Sequence, residues 1–185
     1  MQNSPNQPQN QFPQTPNQIP EDPYASAQMQ AGLREHQLKQ IYNAAGSNFY
    51  SIAIFFLINS VINYFQGGIY FPIGLGVTQI IDALSYAFQQ EVPNASTIFV
   101  VFGVVLNLLI VAIVALFGFM IKKQIKWLIP VGGILYLLDG LLILLFQDWI
   151  GAAFHAYFLF RIWTNWQAIR NLSKSSVPQS AIGSL

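Results

Sequence analysis

The sequence predicts an all-α membrane protein: a polytopic helical bundle with four spanning helices and one amphipathic helix that is interfacial or re-entrant. Three observations predict this class. Hydrophobic residues make up 54% of the chain and charged residues only 8%, whereas an ordinary soluble domain carries about 25% charged residues. Residues 97–121 contain no charged side chain, and this run exceeds the ~20 apolar residues that cross a hydrocarbon core. Two further apolar runs follow it, at 127–146 and 149–166.

The composition also excludes several classes of function. The chain has no cysteine, which excludes disulfides, thiolate metal sites and thiol catalysis. Its net charge is +1, so it lacks the strong positive field of a nucleic-acid-binding protein. The sequence contains no nucleotide-binding, nucleophile-elbow or metal-binding motif. We therefore expect neither an enzyme nor a cofactor.

The chain begins with two segments that differ from the bundle. Residues 1–24 are predicted to be a disordered tail, because 16 of the first 23 residues are Gln, Asn or Pro and there is little apolar surface to bury. A solvating extension is favoured over a docking segment for a proline-recognising module. Residues 25–46 place their apolar side chains loosely on one helical stripe, which predicts an amphipathic surface helix leading into the first span.

The remaining residues, 47–168, are predicted to form the bundle, and a polar cytoplasmic tail, 169–185, ends the chain. The predicted spans are about 47–65, 97–121, 127–146 and 149–166. Segment 71–90 is two-sided, with apolar residues on one helical face and Thr78, Asp82, Ser85 and Gln89 on another. It could lie in the interface, re-enter the membrane, or span it with the polar face buried in protein.

The distribution of Lys and Arg favours the four-span topology, because positive residues near spans lie on the cytoplasmic side. If 71–90 does not cross, both termini and the lysine-rich turn at 122–126 are cytoplasmic, with seven flanking charges inside and none outside. If it crosses, five charges lie inside and two outside. We therefore expect both termini in the cytoplasm.

Ionisable residues at membrane depth are costly and are functional candidates by default. Asp139 lies near the middle of the third span. In an antiparallel hairpin that turns at residues 147–148, the level opposite Asp139 is close to residue 156. The sequence therefore predicts a contact between Asp139 and His155. The pair could relay protons or gate a polar path. The favoured interpretation is an interhelical clip, that is, a hydrogen-bonded contact that holds helices together.

Other polar residues inside the predicted bundle have structural and functional interpretations. Asn59, Asn63 and Asn107 fit interhelical hydrogen bonding. Arg161 is expected to extend its side chain to the interface rather than to bind substrate. For Asp82 the two interpretations are even: a small polar pocket with its neighbours, or a water-facing carboxylate on an interfacial helix.

Three stretches, 74–82, 135–140 and 148–156, resemble a group of small, uncharacterised bacterial membrane proteins with four helices. The resemblance covers about residues 45–168. It implies a stand-alone domain of the bacterial cytoplasmic membrane and brings no known activity.

The favoured function is a structural or interaction role, with the lipid bilayer, a membrane-protein partner or a second copy of the chain as partners. The alternative is an oligomeric small transporter or channel with Asp139 and His155 on its path. An enzyme that acts on lipid is a third possibility.

Overall fold

A computed structural model describes residues 23–64, 76–92 and 96–174. Within these residues the protein contains five α-helices and no strand, which confirms the predicted all-α class. The helices are α1 (Pro23–Tyr64), α2 (Gly76–Glu91), α3 (Ser96–Lys122), α4 (Leu128–Leu145) and α5 (Trp149–Lys174). The predicted disordered tail lies outside the described residues, apart from the start of α1. The polar tail predicted at 169–185 begins inside α5, and its last eleven residues lie outside the described part.

Helix α1 is one continuous helix of 42 residues, so the expected boundary near residues 46–47 is not a helix boundary. The reason is that no proline lies within α1 after Pro23, and a glycine inside a helix, such as Gly46, costs only about 1 kcal/mol. The chain divides into two compact units, Met1–Glu35 and His36–Leu185. In the first unit, Tyr24, Met29 and Leu33 are exposed.

Among the residues that the structure describes, three helices are long and apolar enough to cross a membrane, within Tyr24–Ile62, Thr97–Lys122 and Leu128–Leu145. The sequence predicted four spans, and the fourth, on α5, does not meet this criterion. The cause is composition rather than length, since α5 has 26 residues. His155, Arg161 and several amide side chains lower its apolar character.

Helices α4 and α5 form an antiparallel hairpin. Tyr136 packs edge-on against Phe158, with ring centroids 6.3 Å apart, and one turn earlier Gly133 faces Ile162. The connection is short, and Gln147 adopts a left-handed conformation in it. This hairpin places the middle of α4 opposite the first turns of α5.

Helices α2 and α3 form a second antiparallel pair. Phe88 stacks on Phe99 with ring centroids 5.2 Å apart, and Ser85 lies against Gly103. The polar face of α2 is turned inward: Thr78 is fully buried. The apolar face of α2 is exposed, as shown by the side chains of Val77, Leu84 and Phe88.

The apolar core of the second unit lies where α1, the end of α3, α4 and α5 meet. It is built from large aliphatic and aromatic side chains, including Phe49, Ile52, Phe56, Ile121, Ile129, Phe158, Ile162 and Ile169. Helices α1 and α3 approach closely at Gly46 and Gly118, because a Cβ atom at Gly46 would lie 2.6 Å from the Gly118 carbonyl oxygen. Such close contacts between small residues are typical of helix pairs in membranes.

Candidate functional site

The candidate site is centred on Asp139, on the buried face of α4. Gly132, Tyr136, Asp139 and Ile143 are all buried, as their spacing of three to four residues on one helical stripe predicts. Asp139 is only 9% exposed. A carboxyl group at this depth requires hydrogen-bond partners, because burying an unpaired polar group is costly.

Two of these partners are backbone groups at the start of α2. The Gly76 N–H donates to Asp139 Oδ2 at 3.0 Å, and the Val77 N–H donates to Oδ1 at 3.0 Å. Asp139 therefore caps α2 from a different helix. The first N–H groups of a helix have no partner within it, and the positive end of the helix dipole stabilises a negative charge there.

Glycine at position 76 allows this close approach. A Cβ atom there would lie 3.1 Å from the side chain of Leu142 and 3.2 Å from the backbone oxygen of Asp139. A larger residue would push the start of α2 away from α4. The capping contact thus depends on the carboxyl group of Asp139 and on the absence of a side chain at position 76.

The third partner of Asp139 is His155, as the sequence predicts. His155 Nε2 lies 3.0 Å from Asp139 Oδ2, and both residues are buried. The other ring nitrogen, Nδ1, lies 2.9 Å from the Gly151 carbonyl oxygen. A carbonyl oxygen only accepts hydrogen bonds, so Nδ1 carries a proton and donates it.

This geometry fixes the number of protons in the pair. With Nδ1 protonated, the Nε2–Oδ2 hydrogen bond requires one proton, carried either by the imidazole or by the carboxyl group. The pair is then an imidazolium with a carboxylate, or a neutral imidazole with a carboxylic acid. Its net charge is zero in both cases, which reduces the cost of placing it at membrane depth.

The imidazole is also fixed by packing. The ring of Tyr136 stacks on it, with centroids 4.3 Å apart and an angle of 12° between the planes. Gly140, which is on α4 like Tyr136, lies against the side chain of His155. His155 is therefore held in orientation by two hydrogen bonds and one stacked ring.

A second polar contact joins α2 to α3. Asn107 Nδ2 donates to Asp82 Oδ1 at 2.6 Å, and Asn107 is buried. Its Oδ1 has no hydrogen-bond partner within the described parts of the chain. Asp82 is half-buried, so neither interpretation drawn from the sequence describes it fully. Both residues were predicted candidates, but their pairing was not.

The remaining predicted residues lie elsewhere. Asn59 is buried on α1, and the side chain of Asn63 lies outside the described residues. Arg161 is exposed on α5, where its Nη1 donates to the Tyr157 hydroxyl oxygen at 3.3 Å and its guanidinium lies 5.9 Å from that ring. Arg161 therefore does not reach the Asp139–His155 pair.

Asp148 was not among the candidate residues predicted from the sequence. Its Oδ1 accepts the Gly151 N–H at 2.8 Å, so it caps α5, and its other oxygen has no partner among the residues described. An Asp just before an apolar helix is the signal for such a cap. Because α5 begins there, Asp148 helps to set the position of His155 on the helix.

An apolar cavity of about 390 Å³ lies beside Asp139. Aliphatic and aromatic side chains dominate its walls: Phe49, Ile52, Val77, Ile110, Ile113, Val114, Phe117, Leu135, Leu138 and Leu142. Asp139 and Tyr136 are the lining residues with polar side chains. This composition suits a hydrocarbon chain far better than a hydrated ion.

Across residues 23–64, 76–92 and 96–174, no group of three or more His, Asp or Glu side chains is arranged to hold a metal ion. Comparison with protein-family models, curated proteins and solved structures found no match.

Proposed function

We propose that this chain is a small, non-enzymatic integral membrane protein that acts through packing, as a structural or interaction component. The observation that carries this proposal is the set of hydrogen bonds that Asp139 makes to two other helices. Both of its oxygens accept hydrogen bonds from α2, and one of them also contacts His155 on α5. These polar groups join three helices, which is what an interhelical clip requires.

The proposed topology has four spans, with α5 as the fourth. The hairpin supports it, because pairing His155 with Asp139 places α5 alongside α4, one of the three helices apolar enough to cross. Within the predicted span 149–166, Arg161 lies near the cytoplasmic end and can extend its charge to the interface. The Lys and Arg distribution supports a cytoplasmic position of both termini, and the resemblance suggests a bacterial cytoplasmic membrane.

In this topology α2 is a re-entrant half-helix. Its 16 residues span about 24 Å at 1.5 Å per residue, less than the ~30 Å of a hydrocarbon core. It begins at Asp139, which lies about 16 Å along α4 from Leu128 by the same rise per residue. Its exposed face is apolar and its buried face is polar, as expected for a helix that faces lipid on one side and protein on the other.

Reporter fusions at Gln66 and Asn94 test this topology. Both positions should report the outer side, because α2 enters and leaves on the same side. A cytoplasmic signal at Gln66 would contradict the four-span arrangement and support a fifth crossing. A fusion after Lys174 should report the cytoplasm, and an outer signal there would show that α5 does not cross.

A second candidate function is an oligomeric small transporter or channel. One specific observation favours it: the N-terminus of α2 points at an ionisable group within the bundle. Secondary transporters use the N-termini of broken helices in this way to hold anionic substrate groups. Here the Asp139 carboxylate occupies that place, so a substrate anion would have to displace it.

Ion and proton flux in liposomes distinguishes the two candidates. The packing proposal expects no flux above that of empty liposomes, together with co-purification of a membrane partner or of a second copy of the chain. A flux that disappears in Asp139→Asn but persists in Arg161→Gln would contradict packing and support transport. Arg161 serves as the matched control, because it is charged and within α5 but does not contact the pair.

A further inference from the structure

The turn between α3 and α4 concentrates positive charge. Lys122, Lys123 and Lys126 all have exposed side chains. Among the described residues, the salt bridge between His155 and Asp139 does not involve these lysines. Three positive charges within five residues form a local basic cluster that attracts anions.

The turn is also held in one conformation. Gln124 adopts a left-handed conformation, with φ of 64°. The Lys123 N–H donates to the Phe119 and Met120 carbonyl oxygens, and the Gln124 N–H donates to the Ile121 carbonyl oxygen at 2.8 Å. These bonds satisfy the last carbonyl groups of α3, as in common helix C-terminal motifs. Less conformational entropy is therefore lost when a ligand binds here.

Two of the ammonium groups are directed along the helices rather than away from them. Lys122 Nζ lies 4.7 Å from the centre of the Tyr50 ring on α1, and Lys123 Nζ lies 5.4 Å from that of Phe119. Trp127, next to the turn, is 57% exposed. Exposed Trp side chains and ammonium groups beside aromatic rings are typical of the headgroup level of a membrane.

The position of the turn indicates which class of anion its lysines would bind. It joins Thr97–Lys122 to Leu128–Leu145, two helices apolar enough to cross a membrane. In the proposed topology, on which this inference rests, the three lysines lie at the level of the lipid phosphates. We propose that this turn is a binding site for the phosphodiester headgroup of an anionic phospholipid, with Lys122, Lys123 and Lys126 as its ligands. Basic clusters next to spanning helices increase the affinity for such lipids by about fivefold per Lys.

The site is tested with the full chain in detergent, titrated with phosphatidylglycerol or phosphatidylcholine, with bound lipid counted by native mass spectrometry. Phosphatidylglycerol should be retained at least about tenfold more tightly than phosphatidylcholine. The triple variant Lys122→Gln, Lys123→Gln and Lys126→Gln should lose this preference. Its helical content by circular dichroism verifies that it folds.

The matched control removes three positive charges elsewhere, with Lys39→Gln, Arg170→Gln and Lys174→Gln. This control has the same net charge as the turn variant and should keep the preference for phosphatidylglycerol. Equal loss in both variants would contradict a specific site and leave only overall charge. If the turn variant does not fold, Lys126→Gln alone should still reduce retention, and unchanged retention would overturn the proposal.

Inorganic phosphate distinguishes a lipid site from a general anion site. Phosphate at millimolar concentration should leave phosphatidylglycerol bound, because the lipid is also held by its acyl chains against the bundle. Complete displacement, with saturable binding of phosphate itself, would show that the turn recognises a free anion and would overturn the lipid assignment.

Discussion

A double-mutant cycle on Asp139 and His155 tests whether the pair holds the bundle together. Asp139→Ala leaves three hydrogen-bond partners without their acceptor: the Gly76 and Val77 N–H groups and the His155 imidazole. Interhelical hydrogen bonds in membranes average about 0.6 kcal/mol and reach about 1.7 kcal/mol. With three lost, we expect the free energy of unfolding to fall by about 2–4 kcal/mol.

His155→Ala removes one of these bonds and the ring that stacks on Tyr136, so we expect a loss of about 1–3 kcal/mol. The bond between the two side chains is counted in both single variants. The double variant should therefore cost less than the sum by about 1 kcal/mol. The free energies come from titration of mixed micelles with dodecyl sulfate, followed by far-ultraviolet circular dichroism.

Arg161→Ala provides the control for this cycle. Arg161 lies on the same helix as His155 but does not contact Asp139, so its effect should add to that of Asp139→Ala. Strict additivity between Asp139 and His155 would refute the clip. A coupling of equal size between Asp139 and Arg161 would also refute it, because the effect would then not depend on contact.

The capping of α2 by Asp139 can also be tested through the reactivity of a thiol placed in the first turn of α2. The chain contains no cysteine, so Thr78→Cys introduces a single reactive thiol at a position that is 1% exposed. Asp139→Ala should speed its reaction with a maleimide by more than about tenfold, which corresponds to about 1.4 kcal/mol. His155→Ala should have a smaller effect, since both backbone bonds to Asp139 remain. An unchanged rate in Asp139→Ala would contradict the cap.

Three further substitutions and one control test the packing, with the same unfolding assay. Gly46→Ala should cost about 1–3 kcal/mol, because its methyl group would meet the Gly118 carbonyl oxygen. Its matched control is Gly32→Ala on the same helix, where a Cβ atom would meet no neighbouring atom within 4 Å. This control should gain up to about 1 kcal/mol of stability from helix propensity. A comparable loss of stability in both variants would contradict the close crossing of α1 and α3. Asn107→Leu should cost about 1 kcal/mol, whereas Asp82→Asn should cost less, because an amide oxygen still accepts from Asn107. Equal losses at the two positions would argue against that bond.

The sequence predicts best what local geometry determines. The pairing of Asp139 with His155 follows from counting residues on both sides of a short turn, and only 16 residues separate the two. The buried stripe of α4 likewise follows from helical periodicity. Each prediction requires one helix, or two helices joined directly.

Contacts between distant segments could not be predicted in the same way. The Gly76 and Val77 N–H groups carry no side-chain signature, and 63 and 62 residues separate them from Asp139. Asn107 and Asp82 were both candidates, but their pairing depends on how α2 aligns with α3. Helix α1 continues through the change in polarity near residue 46, because such a change does not interrupt a helix.

The cap on α2 also sets an order of events during synthesis. Val77 leaves the ribosome 62 residues before Asp139, which takes roughly 3–12 s at about 5–20 residues per second. Throughout that interval the first N–H groups of α2 lack their acceptor, and unpaired N–H groups are costly in hydrocarbon. Helix α2 is second in chain order, yet it can take its final place only after α4 has been made.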